Sequence, residues 1–223
     1  MTLLAIDTST RAMGLSLYDG TQILYESLWH SQNYHTVELA PSIQHALAQA
    51  SLKQGDLKAI AVAIGPGSYT GLRIGLALAK GLAFAERLPL IPVPTLDVLA
   101  AGQPIQDMPL AAVLQAGRSR LAVAWYTVKE NDWISTGDPE LMTVEELSDA
   151  IRKPTLVSGE LDEAGLKLLG RKRKNVILST AAWNLRRPSL LAELAWNRWK
   201  DGVGEYQVGL APKYMKSQQE IPA

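Results

Sequence analysis

Three stretches of the chain carry residue types that could do chemistry. The first is "GPGSYTG" (65–71), a glycine-rich turn between a short apolar run and a longer one. A strand, a phosphate-cradling loop and a helix would be laid out in this way. A Walker loop requires G-x-x-x-x-G-K-[ST], with Lys on the phosphates and a hydroxyl on magnesium. Here five residues separate Gly65 from Gly71, and Leu72-Arg73 stands where Lys-Ser/Thr should be. The dinucleotide fingerprint G-x-G-x-x-G misses by one residue. The acidic residue that should bind ribose about 20 residues on finds only Glu86, inside the following helix. A structural role fits better. Gly65 and Gly67 relieve the backbone at a tight turn, and Ser68 or Thr70 caps the helix.

The second stretch is "DTST" (7–10), at the end of the first apolar run. Its short polar side chains suit a hydrogen-bonded turn in which Asp7 caps local amides. The third group is the histidines, His30, His35 and His45. Two His at i and i+4 on a helix chelate one ion. Position i+4 from His35 is Leu39, and His45 lies about 80° around the helix and roughly 15 Å along it. No pair has chelating spacing, so no metal site is expected, and His35 reads as a cap or surface residue. No Ser-His-Asp or Cys-His arrangement can be assembled.

The elements that hold these residues read as α/β. "LLAID" (3–7), "MGLSLYDG" (13–20) and "TQILYESLWH" (21–30) are strands, the last two joined at Asp19-Gly20. A helix over 35–50 places Leu39, Ile43, Ala46, Leu47 and Ala50 on one face. Strand 59–65, helix 69–86, strand 88–94 and helix 95–102 follow. After a polar joint at Gln103–Asp107 the order restarts. Strands 109–115 and 120–128 and a third at 133–135 precede a helix at 143–151, with Thr143 as N-cap and Glu146 completing a capping box. Strand 155–159, helix 162–170, strand 175–179 and helix 186–202 complete it, the last with Pro188 near N1 and Gly202 past the end. Each half reads β-β-β-α-β-α-β-α. The predicted architecture is two α/β lobes, 1–104 and 105–223, with a cleft between them.

Composition narrows the functions. With 223 residues and 47% apolar, a real core can form. Lys+Arg and Asp+Glu are both 22, so no general attraction to nucleic acid or an anionic membrane follows. With no cysteine, disulfides, thiolate zinc sites and a Cys nucleophile are excluded. The first residues lack a basic n-region and a long apolar run, and no stretch reaches the ~20 apolar residues of a membrane span. A cytoplasmic protein is expected. "RKRK" (171–174) is the one dense basic run; it suits a solvated turn near a helix C-terminus, with an RNA contact, joined by Arg186 and Arg187, as the alternative. Trp196 and Trp199 are expected to pack the last helix.

Helix 69–86 is more informative than the loop before it. From Gly71 to Ala85 the only charges are Arg73 and Lys80, seven apart on one narrow stripe. A helix covering one sheet needs about a 100°-wide apolar stripe; this one has more and should be covered on a second side. Gly71, Gly75 and Ala79 recur every four residues, a spacing that lets another helix approach. The second cover is the chain's own helix 35–50 or a helix of another protein, and both are favoured: two adjacent helices forming a docking face of His35, Leu39, Ile43 and Leu47 with Gly71, Leu72, Gly75, Leu76, Ala79 and Ala83.

"GPGSYTGLRIGLALAKGLA" (65–83) together with "LLAIDTST" (3–10) resembles the TsaB (YeaZ) family closely. "APKYMK" (211–216) is similar to that family's Pro-x-Tyr-Leu-Arg ending, with Met215 and Lys216 substituted. "QAGRSRLAV" (115–123) departs from the usual Asp-Ala-Arg pattern: Gln115 takes the acidic place and Gly117 that of the first Arg. The resemblance implies a two-lobed, actin-like and heat-shock-chaperone-like ATPase fold with duplicated ribonuclease-H-like lobes. It implies a non-catalytic paralogue of the TsaD-type transferase, docked to it through first-lobe helices and joined by a TsaE-type ATPase. Together they place threonylcarbamoyl on the adenosine beside the anticodon of ANN-decoding tRNAs. A homodimer through the same face is also implied, with tRNA met only through the complex, and ATP and Mg belonging to the complex rather than to this chain. In active members of the fold the first hairpin meets the nucleotide phosphates, so Asp7, Thr8 and Ser9 are the candidates for vestigial nucleotide binding. The alternative is an autonomous ATPase or sugar kinase. That reading needs an Asp-and-Gly hairpin at the start of the second lobe, and "LQAGRS" (114–119) has no Asp. A metallopeptidase would need ligands that the chain lacks.

Overall fold

The computed structural model describes residues 1–32, 35–117, 119–172, 174–204 and 209–215. Alternation of side chains across a strand decides the layering. In β1 (Thr2–Asp7), Leu4 and Ile6 face one way and Leu3 and Ala5 the other, all fully buried. A strand buried on both faces sits mid-sheet. β2 (Ala12–Tyr18) and β3 (Ile23–His30) pair with it in antiparallel succession, and β4 (Leu57–Ala63) and β5 (Leu90–Val93) extend the other side in parallel, giving the order β3-β2-β1-β4-β5.

The second half repeats this. β6 (Leu110–Gln115) is central. β7 (Leu121–Lys129) and β8 (Asp132–Ser135) are antiparallel on one side, with β10 (Thr155–Gly159) and β11 (Val176–Leu178) parallel on the other. Read from the β8 edge, the order matches the first sheet strand for strand. The duplication, expected from element order alone, is therefore present in the pairing. A short extra strand, β9 (Glu140–Met142), adds to β7. Three residues give too short a periodic signal to be read from sequence.

Helices α1 (His35–Gln49) and α2 (Tyr69–Glu86) cover the outer face of the first sheet: Leu39, Ile43 and Leu47 meet Leu76, Ala79 and Ala83 over Leu4, Ile6 and Leu15. In the second half, α4 (Val144–Ala150) and α5 (Glu163–Leu169) cover the outer face, burying Leu147 and Leu169 with Val113 and Val123. The capping box of Thr143 and Glu146 forms as its sequence requires, with the carboxylate accepting from Thr143 N at 2.7 Å.

The two remaining helices cross over. α3 (Thr95–Ala101), from the first half, packs Leu96, Leu99 and Ala100 on the second sheet. α6 (Pro188–Lys200), from the second half, packs Leu191, Ala192, Ala195 and Trp196 on Leu3, Ala5 and Ala61 of the first. Arg198 of α6 ties the pair, donating to Asp97 at 2.9 Å, whose other oxygen accepts from Tyr126. The sheets divide as the halves of the sequence do, whereas these inner helices are exchanged. The Asp19-Gly20 turn also differs. The strands stop at Tyr18 and resume at Ile23, and Asp19 caps the loop by accepting from the Thr21 and Gln22 amides at 2.8 Å. The carboxylate supplies a longer and more satisfied connection than the two-residue turn its dipeptide suggests.

Candidate functional site

The glycine loop joins β4 to α2. Gly65 has φ +111°, in the region that favours glycine, and a Cβ there would lie 2.5 Å from the Lys213 carbonyl oxygen. Its amide donates to Thr95 Oγ1 at 3.0 Å and its carbonyl accepts from Thr95 N at 2.9 Å. Ser68 caps α2, accepting from Gly71 N. The loop is therefore a packed turn, as expected.

The structure corrects the docking face. Leu39, Ile43, Leu47, Gly71, Leu72, Gly75, Leu76, Ala79 and Ala83 are all buried within the chain itself. The glycines of that stripe receive the chain just past β1, while Ala79 and Ala83 pack with Leu39, Ile43 and Leu47 of α1, the neighbouring helix of the same chain. A Cβ on Gly71 would stand 2.2 Å from Thr8 O, and one on Gly75 would stand 2.1 Å from Thr8 Oγ1. Thr8 Oγ1 donates to Gly71 O at 2.7 Å, and Ser68 N donates to Ser9 O at 2.6 Å. For His35, the structure gives its place as the first residue of α1.

The outward face of α2 is a different surface. Ala77, Gly81, Phe84 and Ala85 are exposed, and Ile74, Leu78 and Leu82 are half-buried. Phe84 is 86% exposed. Small residues recur every four here too, at Ala77, Gly81 and Ala85. A Cβ on Gly81 meets nothing within 4 Å. The excess apolar circumference read in the sequence is real, but the uncovered part is the stripe opposite the glycine pair.

Asp7, Thr8 and Ser9 are also buried and line neither chamber of the cleft between the lobes. Asp7 caps its own turn, accepting from Ser9 N at 2.8 Å and from Ser9 Oγ on the same oxygen. Its second oxygen receives Arg186 Nε at 3.1 Å. Arg186, 3% exposed, also donates to Glu160 Oε1 at 2.7 Å, to Thr10 Oγ1 and to Ala12 O. Burial works against its charge, and Asp7 and Glu160 outweigh that, so its pKa is raised. Such a pair is costly to break from one side, since the remaining charge is stranded. Arg186 was an RNA-contact candidate; its burial removes it from that role. Arg187 pairs with Glu26. Lys172 of the basic run donates to Ser148 O; Arg173 lies outside the described residues. Magnesium does not fit at Asp7, because both carboxylate oxygens are taken by donors from the chain.

Sequence reasoning missed two features. One is Arg186, 179 residues from its partner. The other is the segment ending in Lys213-Tyr214-Met215, which closes over the glycine loop. Lys213 N donates to Ile64 O at 2.7 Å, and Tyr214 accepts from Arg73 Nε at 2.9 Å while packing on Tyr69, ring centroids 4.9 Å apart. The match of "APKYMK" to a family ending was the available signal, without indicating where the segment docks. Either side of it lie two chambers, of about 1040 and 1470 Å³. Among the described residues, no helix is long and apolar enough to cross a membrane.

The family model for TsaD, tRNA N6-adenosine threonylcarbamoyltransferase, matches residues 29–195. The tRNA threonylcarbamoyladenosine biosynthesis protein TsaB of Bacillus subtilis is 31% identical over 224 residues, covering 97% of this chain and 94% of that protein. A Pseudomonas aeruginosa structure, described as an uncharacterized protein with similarity to peptidase YeaZ, superposes with TM-score 0.81 at 26% identity, covering 96% of this chain and 99% of that one. A ROK hexokinase from Thermus thermophilus shares the fold alone, with TM-score 0.50 at 10% identity, covering 90% of this chain and 100% of its own. With the duplicated sheets, these place the chain in the two-lobed actin-like ATPase fold and tie it to tRNA threonylcarbamoyladenosine biosynthesis. The chain belongs to the TsaB (YeaZ) family.

Proposed function

We propose that this chain is a non-catalytic docking subunit of a cytoplasmic tRNA threonylcarbamoyladenosine synthase, binding a TsaD-type transferase through the outward face of α2. The observation that carries the proposal is the uncovered apolar stripe of Ile74, Ala77, Leu78, Gly81 and Phe84. Contiguous exposed apolar surface marks an interaction site, and small residues at Ala77 and Gly81 let a second helix come close. The partner follows from likeness: a chain that matches the transferase family model over 29–195 suits a partner of its own fold, helix face against helix face. The same symmetry argument supports a homodimer that the transferase displaces. Absence of catalysis is supported by the commitment of Asp7 to Arg186 and by Gln115 in the acidic place of the second hairpin. A TsaE-type ATPase with ATP·Mg acts on the assembled pair, and tRNA is met through it.

The test is the mass of a mixture with the transferase of the same organism, by light scattering after gel filtration. A one-to-one complex is expected. Two separate peaks, both with and without the TsaE-type ATPase and ATP·Mg, overturn the proposal. An autonomous kinase would instead show a large, dose-dependent thermal stabilisation by ATP·Mg.

A further inference from the structure

Arg186 touches both halves of the molecule. The first sheet carries α1, α2 and α6 and the second carries α3, α4 and α5, so the chain passes between the lobes after β5, at Pro94, and again before α6, at Arg187. A cleft that opens and closes needs hinge residues at such crossings, free to change φ and ψ. Both crossings are pinned here. At the first, buried Thr95 makes two hydrogen bonds with Gly65, just past β4, at 2.9 and 3.0 Å. At the second lies Arg186, whose guanidinium spans from sheet to sheet. Nε donates to Asp7 at the end of β1 at 3.1 Å, and Nη2 donates to Thr10 Oγ1 and Ala12 O of the first hairpin. Nη1 donates to Glu160, just past β10, at 2.7 Å. The Glu160 backbone is fixed in turn, its amide donating to Val113 O of β6 at 2.9 Å. β1 and β6 are the central strands of their sheets, so one side chain ties centre to centre. Arg198 adds a second tie, from α6 to Pro92 O at 3.0 Å and to Asp97 of α3 at 2.9 Å.

From this geometry we infer that Arg186 is an inter-lobe clasp that holds the cleft at one width, so that the two lobes move as a single rigid body whether or not a ligand lies between them. Charge-assisted bonds in a water-poor site are strong and directional, and Arg186 is 3% exposed. Opening the cleft would draw the guanidinium away from one carboxylate and strand a charge. Glu160 is the arm that sets the hinge. Its side chain is 30% exposed, against 1% for Asp7, so it can be changed without hollowing the interior. Its removal leaves the Asp7–Arg186 pair whole and cuts only the link to the second sheet. A chain clasped in this way meets a partner pre-organised, without the ordering cost of two mobile lobes. The inference does not depend on which face docks a partner.

The test is the distance between the lobes of the full chain, read by double electron–electron resonance from paired spin labels. The chain has no cysteine, so labels go only where one is introduced. Arg11→Cys with Ala116→Cys puts one label on each lobe, at exposed positions lining the larger chamber. Arg11→Cys with Ala40→Cys, both exposed on the first lobe, is the control pair. One narrow inter-lobe distance is expected. Adding Glu160→Ala should lengthen it by more than about 2 Å and broaden it. Glu160→Gln, which keeps the length and an acceptor oxygen, should shift it less. The control distance should stay the same throughout. A broad inter-lobe distribution with Glu160 in place, an unchanged one in the folded Glu160→Ala variant, or an equal shift in the control pair would overturn the inference.

Discussion

The two stripes of small residues on α2 share a spacing and differ in fate. Gly71, Gly75, Ala79 and Ala83 are buried; the two glycines make room for the backbone and hydroxyl of Thr8, and the two alanines pack with α1. Ala77, Gly81 and Ala85 face outward with Phe84 and meet nothing of their own chain where Gly81 is concerned. An every-four repeat says that something approaches the helix closely. It does not say whether that is a strand end of the same chain or another protein. The inner stripe is covered by the chain itself, and the outer one is exposed.

The sharpest way to break this contrast is to fill the inner stripe. Gly75→Leu puts carbon where Thr8 Oγ1 stands, and should destabilise by about 3 kcal/mol or more, read as a fall in the urea midpoint. A normal midpoint would mean that Thr8 does not occupy the groove. Arg186→Leu is next in size. Stranding Asp7 in the interior should cost about 3–5 kcal/mol, and the double variant with Asp7→Asn should recover part of it. On the outer stripe, Phe84→Asp should leave the midpoint within about 0.5 kcal/mol while lowering transferase affinity about tenfold or more. Gly81→Ala is smaller and of opposite sign for the fold: an exposed helical glycine with open space around it should gain about 0.5–1 kcal/mol when replaced.

Away from α2, the Glu26 carboxylate from β3 joins α6 by accepting from Ser189 N at 3.0 Å and from Arg187. Burial pushes its pKa up, but the Arg187 and Ser189 bonds outweigh that and leave it lowered. A depressed carboxyl stabilises above its unfolded value and loses that contribution as pH falls through the folded one. Glu26→Gln should therefore cost about 0.5–1 kcal/mol at neutral pH, with the difference from wild type shrinking as pH falls through the ordinary glutamate value of about 4.3 and vanishing only below the depressed folded value.

Local chemistry was legible in the sequence. Ser68 capping α2, the Thr143–Glu146 box, Pro188 opening α6 and the Asp7 turn all act within three residues of themselves, and each forms as read. The sheet order was legible only as element order. What stayed hidden was long-range. Arg186 finds Asp7 and Glu160, Tyr214 finds Arg73, and α3 and α6 change sheets. No periodicity encodes which buried carboxylate an arginine meets, nor which of two apolar faces a helix turns inward. For the same reason the excess apolar surface of α2 could be measured from sequence, while its uncovered stripe could not be located.

The most direct measurement is the affinity of the Gly81→Arg variant for the TsaD-type transferase, titrated beside wild type, with a thermal melt of each. The outer stripe predicts an unchanged melt and an affinity lower by about thirtyfold or more. A variant that melts normally and binds as tightly as wild type would contradict the assignment of the docking face to the outward side of α2.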